Sequence, residues 1–92
     1  MKTWNDVRKN LTSLTEDEKH ELETLADIIA AAIRRRNELG LSQRELATKM
    51  GIQQSSLARL ERIGTSPNLS TLLRMYRHLG LELKPSVSKK YT

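Results

Sequence analysis

Apolar residues recur along the chain in short helical rhythms, separated by polar or glycine-bearing corners. Trp4, Val7 and Leu11 stand at i, i+3 and i+7 after Thr3, which predicts a short helix from Trp4 to about Leu11, broken by Thr12-Ser13. Thr15 followed by Glu18 reads as a capping box. It predicts a long helix from Glu16 to about Leu39, with Leu22, Leu25, Ala26, Ile29 and Ile33 as its apolar stripe. Ser42 with Glu45 is a second such box. Behind it Leu46, Ala47 and Met50 share one face up to Gly51, where a left-handed residue is needed to close the helix. Ile52 plugs the corner, and Gln53-Gln54 open a further short helix with Leu57 and Leu60 inward. Ser66-Pro67-Asn68 marks a turn. The last helix is expected from Leu69 or Ser70 to Leu79, burying Leu69, Leu72, Leu73, Tyr76 and Leu79 before Gly80 stops it. Leu81 to Lys84 alternates apolar and polar and is read either as a short strand, needing an edge to pair with, or as an extended tail on the helices.

The expected fold is therefore all-α. A helical bundle surrounds two short helices and a tight glycine turn, with an N-terminal helical extension and a possible short C-terminal strand. Three segments follow: an arm over 1–27 continuous with the first domain helix, a domain over 28–80, and a strand-and-tail segment over 81–92.

The pair of helices from Ser42 to Glu61 is the part that carries chemistry. Ala47 is small where two steeply crossing helices would touch, and the outward face of the second helix offers Gln54, Ser55, Ala58 and Arg59, with Gln53 at its cap. Gln can bond adenine through two atoms, Arg can bond guanine, Ser is permissive, and Ala can meet a thymine methyl. That is the make-up of a helix laid in the major groove. Gln43, Arg44 and Lys49, on the preceding helix, would hold the DNA phosphates.

Charge sharpens this picture. The net charge of +5 divides unevenly: residues 1–27 hold four Lys/Arg against seven Asp/Glu, −3, while residues 28–92 hold twelve against four, +8. The sign changes where the domain begins, as a phosphate-facing domain requires. Other classes find little support. The chain has no cysteine, so no disulfide framework or thiolate metal site is expected, and His20 and His78 read as exposed side chains and not as metal ligands. No nucleophile–base arrangement and no glycine-rich phosphate loop appears, so neither an enzyme nor a cofactor is expected. With no apolar run of membrane-spanning length, no membrane association is expected and a cytoplasmic protein is.

The stretches Leu39 to Gly51 and Gln53 to Glu61 resemble the Cro/C1-type (XRE) helix-turn-helix family of phage repressors and bacterial regulators, over about residues 28–79. The resemblance implies a compact lambda repressor-like bundle that binds an inverted-repeat operator in double-stranded DNA as a two-fold homodimer. It places Gln54, Ser55 and Arg59 on base edges and Gln43 on phosphate, and it pairs Arg36 with Glu61 as scaffold beside Ala47 and Gly51. One departure stands out: Arg62-Ile63 precedes Gly64 where many members have glycine soon after the glutamate, which implies a different loop path.

The layout as a whole, an acidic helical arm before such a domain, resembles the HigA-type antitoxins of type II toxin-antitoxin modules. That resemblance implies a transcriptional repressor that neutralises a small basic mRNA-cleaving RNase toxin of the RelE/HigB kind and represses its own operon. The arm face of Trp4, Val7 and Leu11 would then be the partner-binding surface. Alternatively, the arm packs on the domain and the protein is a stand-alone Cro/C1-type regulator.

Overall fold

The computed structural model describes residues 14–62 and 65–88. The expected helix from Trp4 to Leu11, and with it Trp4, Val7 and Leu11, lies outside the described residues. Among the described residues four helices follow one another: α1 (Glu16–Glu38), α2 (Gln43–Met50), α3 (Gln54–Leu60) and α4 (Leu69–Leu79). The described residues contain no strand.

The helices begin where the sequence offers an oxygen to an unpaired amide. Thr15 Oγ1 accepts from Glu18 N at 3.1 Å, Ser42 Oγ accepts from Glu45 N at 3.0 Å, and Asn68 Oδ1 accepts from Ser70 N at 2.8 Å. Only Ser42–Glu45 is a reciprocal box, because the Glu45 carboxylate also accepts from Ser42 N at 3.1 Å. At Thr15 the hydroxyl itself donates to the Glu18 carboxylate, so the second half of the expected box is a side-chain contact.

Three helices end alike. Gly51 lies at φ 70°, ψ 30°, where a side chain would be strained. Its N–H donates to Thr48 O at 3.1 Å and Ile52 N–H donates to Ala47 O at 3.0 Å, the Schellman pattern. Gly40-Leu41 and Gly80-Leu81 close α1 and α4 with the same pair of bonds. In each case the following aliphatic residue, Leu41, Ile52 or Leu81, packs back against the core.

The core lies between α2, α3 and α4 with α1 across α4. Leu46, Ala47, Met50, Leu57, Leu60, Leu72, Met75, Tyr76, Leu79 and Ala32 are all buried in one cluster. Two expectations need correction. On α4 the inward set is Leu72, Met75, Tyr76 and Leu79, while Leu69 and Leu73 are 63% and 46% exposed. The buried arc is rotated toward Met75, which leaves the i, i+4 leucines on the outer flank. On α1 the buried residues are Ile29 and Ala32, flanked by Leu25 and Ile28, and Ile33 is only half-buried.

Residues 81–84 belong to no strand. Leu81 and Leu83 pack against the core and Glu82 and Lys84 are exposed, so the alternation marks a tail lying on the helices.

Two long-range polar bonds fix α1 to α4. Tyr76 Oη donates to Ile28 O at 2.7 Å, and burial pushes its phenol pKa above the usual 10.0. Arg35 Nε donates to Leu79 O at 3.0 Å, satisfying a carbonyl at the end of α4.

Candidate nucleic-acid interface

The arrangement is set from behind. Leu57 and Leu60, buried on the inner face of α3, press it onto α2, where Ala47, 2% exposed, leaves room for a close approach. A seven-residue helix cannot hold itself together in water, so this packing decides where its outer face points. Gln53, Gln54, Ser55 and Arg59 are exposed on that outer side and Ala58 is half-buried. Gln53 is the N-cap of α3 but makes no capping bond. Its side chain is one methylene longer than the asparagine that favours this position.

Arg36 and Glu61 tie α1 to the end of α3. Arg36 Nε donates to Glu61 Oε2 at 2.9 Å and Nη2 to Glu61 Oε1 at 3.0 Å, the two-point geometry that suits a guanidinium and a carboxylate. Arg36 Nη1 also donates to Leu41 O at 2.9 Å, so one side chain clamps α1, the α1–α2 corner and α3. The side chains are 12% and 6% exposed. Gln43 Nε2 completes the set, donating to Glu61 Oε1 at 2.9 Å.

The structure thus gives Gln43 a partner within the protein that the sequence did not suggest, and leaves it half-buried at the start of α2. Arg44 and Lys49 are exposed on the same helix. The three consecutive arginines of α1 go separate ways: Arg34 is exposed, Arg35 caps α4, and Arg36 joins Glu61. The role of Arg35 was missed because it depends on where α4 ends in space. The one available signal was a basic residue facing a glycine-terminated helix.

The capping box has a titration of its own. The backbone N–H of Ser42, then its hydroxyl, hold the Glu45 carboxyl below its ordinary value of 4.5, with Lys49 adding to the effect. A carboxylate with a lowered folded pKa contributes stability above its unfolded pKa, and loses it as pH falls through the folded one. The start of α2 should therefore loosen on the acid side of 4.5. Amide shifts of Ser42 and Glu45 followed by NMR will report this. Their movement should disappear in Glu45→Gln; the same acid transition in that variant would assign it to another group.

Two short helices at a glycine corner, an exposed amide- and arginine-bearing helix and a basic domain define a DNA-binding helix-turn-helix protein. Comparison agrees: the family model described as helix-turn-helix matches residues 33–85. The chain belongs to this Cro/C1-type helix-turn-helix family. It is 35% identical over 80 residues to an uncharacterized HTH-type transcriptional regulator of Haemophilus influenzae, covering 87% of this chain and 80% of the relative. It is also similar to a solved structure described as a toxin-antitoxin module from Streptococcus pneumoniae. That similarity has a TM-score of 0.66 and 33% identity over 95% of this chain and 93% of the other. Among the described residues no group of His, Cys, Asp or Glu could hold a metal ion, and no helix is long and apolar enough to cross a membrane.

Proposed function

We propose that this protein is a sequence-specific transcriptional repressor and the antitoxin of a two-protein module. As a homodimer it reads an inverted repeat in its own operon, and it holds inactive a small basic RNase toxin of the RelE/HigB kind. It carries out no catalysis. Gln54, Ser55 and Arg59 select bases, Gln53 lies at the edge of the contact, and Gln43, Arg44 and Lys49 set the register on phosphate. The observation that carries the antitoxin reading is the extent of the likeness to the toxin-antitoxin structure. It spans 95% of this chain, well beyond the matched helix-turn-helix at 33–85, and so takes in the acidic arm.

The arm supplies what a basic nuclease surface would bind. Residues 1–27 carry −3 overall, and Trp4, Val7 and Leu11 offer apolar anchors at helical spacing. Deleting residues 1–14 should abolish binding of the basic partner encoded beside this gene and leave operator binding intact. A truncated protein that no longer folds would make the arm structural. A full-length protein that finds no such partner would be a stand-alone regulator.

Base selection has its own test. Gln54→Ala should relax the preference at one base pair of each half-site by about 1–3 kcal/mol. Equal weakening on every sequence, measured by gel shift at fixed salt, would make Gln54 a phosphate contact instead.

A further inference from the structure

The charge of residues 1–27 is not spread evenly. Residues 14–27 hold six Asp/Glu against Lys19, −5, whereas residues 1–13 hold Lys2, Arg8 and Lys9 against Asp6, +2. The acid belongs to the first half of α1, and the segment before it is basic. Glu16, Asp17 and Glu18 suit the positive end of a helix. Glu21, Glu23 and Asp27 lie beyond the first turn, where that effect has faded, and have no ion-pair partner among the described residues.

The same half of α1 borders a groove. Among the described residues, α1 meets the core cluster only from Leu25 onward. At that point a groove of about 400 Å³ lies between α1 and the turn before α4, lined by His20, Glu21, Thr24, Leu25 and Ser66. Asp17, Glu21 and Thr24, at i, i+4 and i+7, share the face of α1 beside it.

Residues 1–13, which lie outside the described residues, match this groove in length, chemistry and charge. Thr12 to Thr15 separate Leu11 from Glu16, a connection within the range of about 2–5 residues that joins antiparallel helices. At helical spacing Trp4 stands about 10 Å from Leu11, and α1 rises about 14 Å from Glu16 to Leu25. An arm running back along α1 therefore brings Leu11 to its start and Trp4 to Thr24, Leu25 and Ser66. Arg8 flanks the apolar face of the arm and comes to the edge that carries Asp17 and Glu21. A tether this short also decides among occupants. It holds the arm at an effective concentration on the order of millimolar, which a second copy or an unlike protein has to exceed.

We propose that residues 1–13 of this chain fold back along α1 and cover this groove, seating Trp4 against Leu25 and Ser66. Under the antitoxin reading, on which this consequence alone rests, a basic partner drawn to the α1 carboxylates must displace the chain's own arm. Displacement also frees Trp4, Val7 and Leu11 for that partner.

The test uses the full chain. Trp4 is its single tryptophan, so acrylamide quenching of the fluorescence reports that residue alone. Quenching should be weak in the wild type, stronger in Arg8→Glu and in Glu21→Arg, and weak again when the two are combined. Equal quenching in all four would overturn the proposal. The chain has no cysteine, so introduced pairs can be read directly. Val7→Cys with Glu21→Cys should close a disulfide within one chain, at a rate independent of protein concentration. It should form roughly tenfold faster or more than Val7→Cys with Asn37→Cys, whose second site lies about 24 Å further along α1. Disulfides between chains, or equal rates in the two pairs, would also overturn it. The basic protein encoded beside this gene should bind the reduced pair and not the oxidised one. Equal binding to both would overturn the displacement. A docked arm with no such protein bound would remove the antitoxin reading and leave the docking. A bound partner and a freely quenched Trp4 in the unbound chain would do the reverse.

Discussion

Arg36→Ala is expected to lower the unfolding free energy by about 3–5 kcal/mol, the usual cost of stranding one member of a buried ion pair. The cost arises from what is left behind. Glu61, 6% exposed, would lose two of the three donors that hold it and keep only Gln43. Leu41 O would lose its bond at the α1–α2 corner as well. The intact pair need not add much net stability, because both groups were taken out of water to make it. Arg36→Lys should recover only part of the loss, since an ammonium cannot reproduce the two-point grip and the bond to Leu41 together. Thermal or urea unfolding of Arg36→Ala, Glu61→Gln and the double variant will measure the coupling. An unchanged melting temperature in Arg36→Ala would remove the pair from the list of things that hold α3 in place.

Leu57→Ala should cost about 2–5 kcal/mol, the range for removing a large aliphatic side chain from a packed core. Leu57 is fully buried and, with Leu60, is all that the seven-residue α3 turns inward. The loss should therefore appear twice, as a lower melting temperature and as weaker operator binding under conditions where the protein is still folded. Ser55→Ala, on the exposed side of the same helix, should leave unfolding within about 0.5 kcal/mol of wild type. If Leu57→Ala lost stability but bound DNA as tightly as wild type, α3 would not be the element that needs rigid placement.

The helices were largely legible in the sequence because local chemistry decides them. Thr15, Ser42 and Asn68 start three, Gly40, Gly51 and Gly80 end three, and the spacing of Leu46, Ala47 and Met50 identifies the buried face between two of those signals. The failures lie where a tertiary neighbour decides. On α4, Leu69 and Leu73 are more apolar in appearance than Met75, and an arc drawn through them differs from the true one by only part of a turn. The choice was made by where α1 and α2 sit. Leu81 to Lys84 alternates as a strand would, but one edge alone cannot form a ladder, and its two leucines found the core instead. At the candidate site, exposure of Gln54, Ser55 and Arg59 followed from the pattern. The bond from Gln43 to Glu61 and the cap that Arg35 gives α4 did not, because each joins residues far apart in sequence.

The central claim is that Gln54, Ser55 and Arg59, held by the buried Leu57 and by Arg36–Glu61, read a specific DNA sequence twice. Selection of bound duplexes from a random library, at a fixed salt near 0.15 M, tests it most directly. The expected result is an enriched inverted repeat with half-sites about one helical turn apart, whose preference at one position relaxes in Gln54→Ala. Binding that enriches no sequence, or one that Gln54→Ala, Ser55→Ala and Arg59→Ala all leave unchanged, would contradict it.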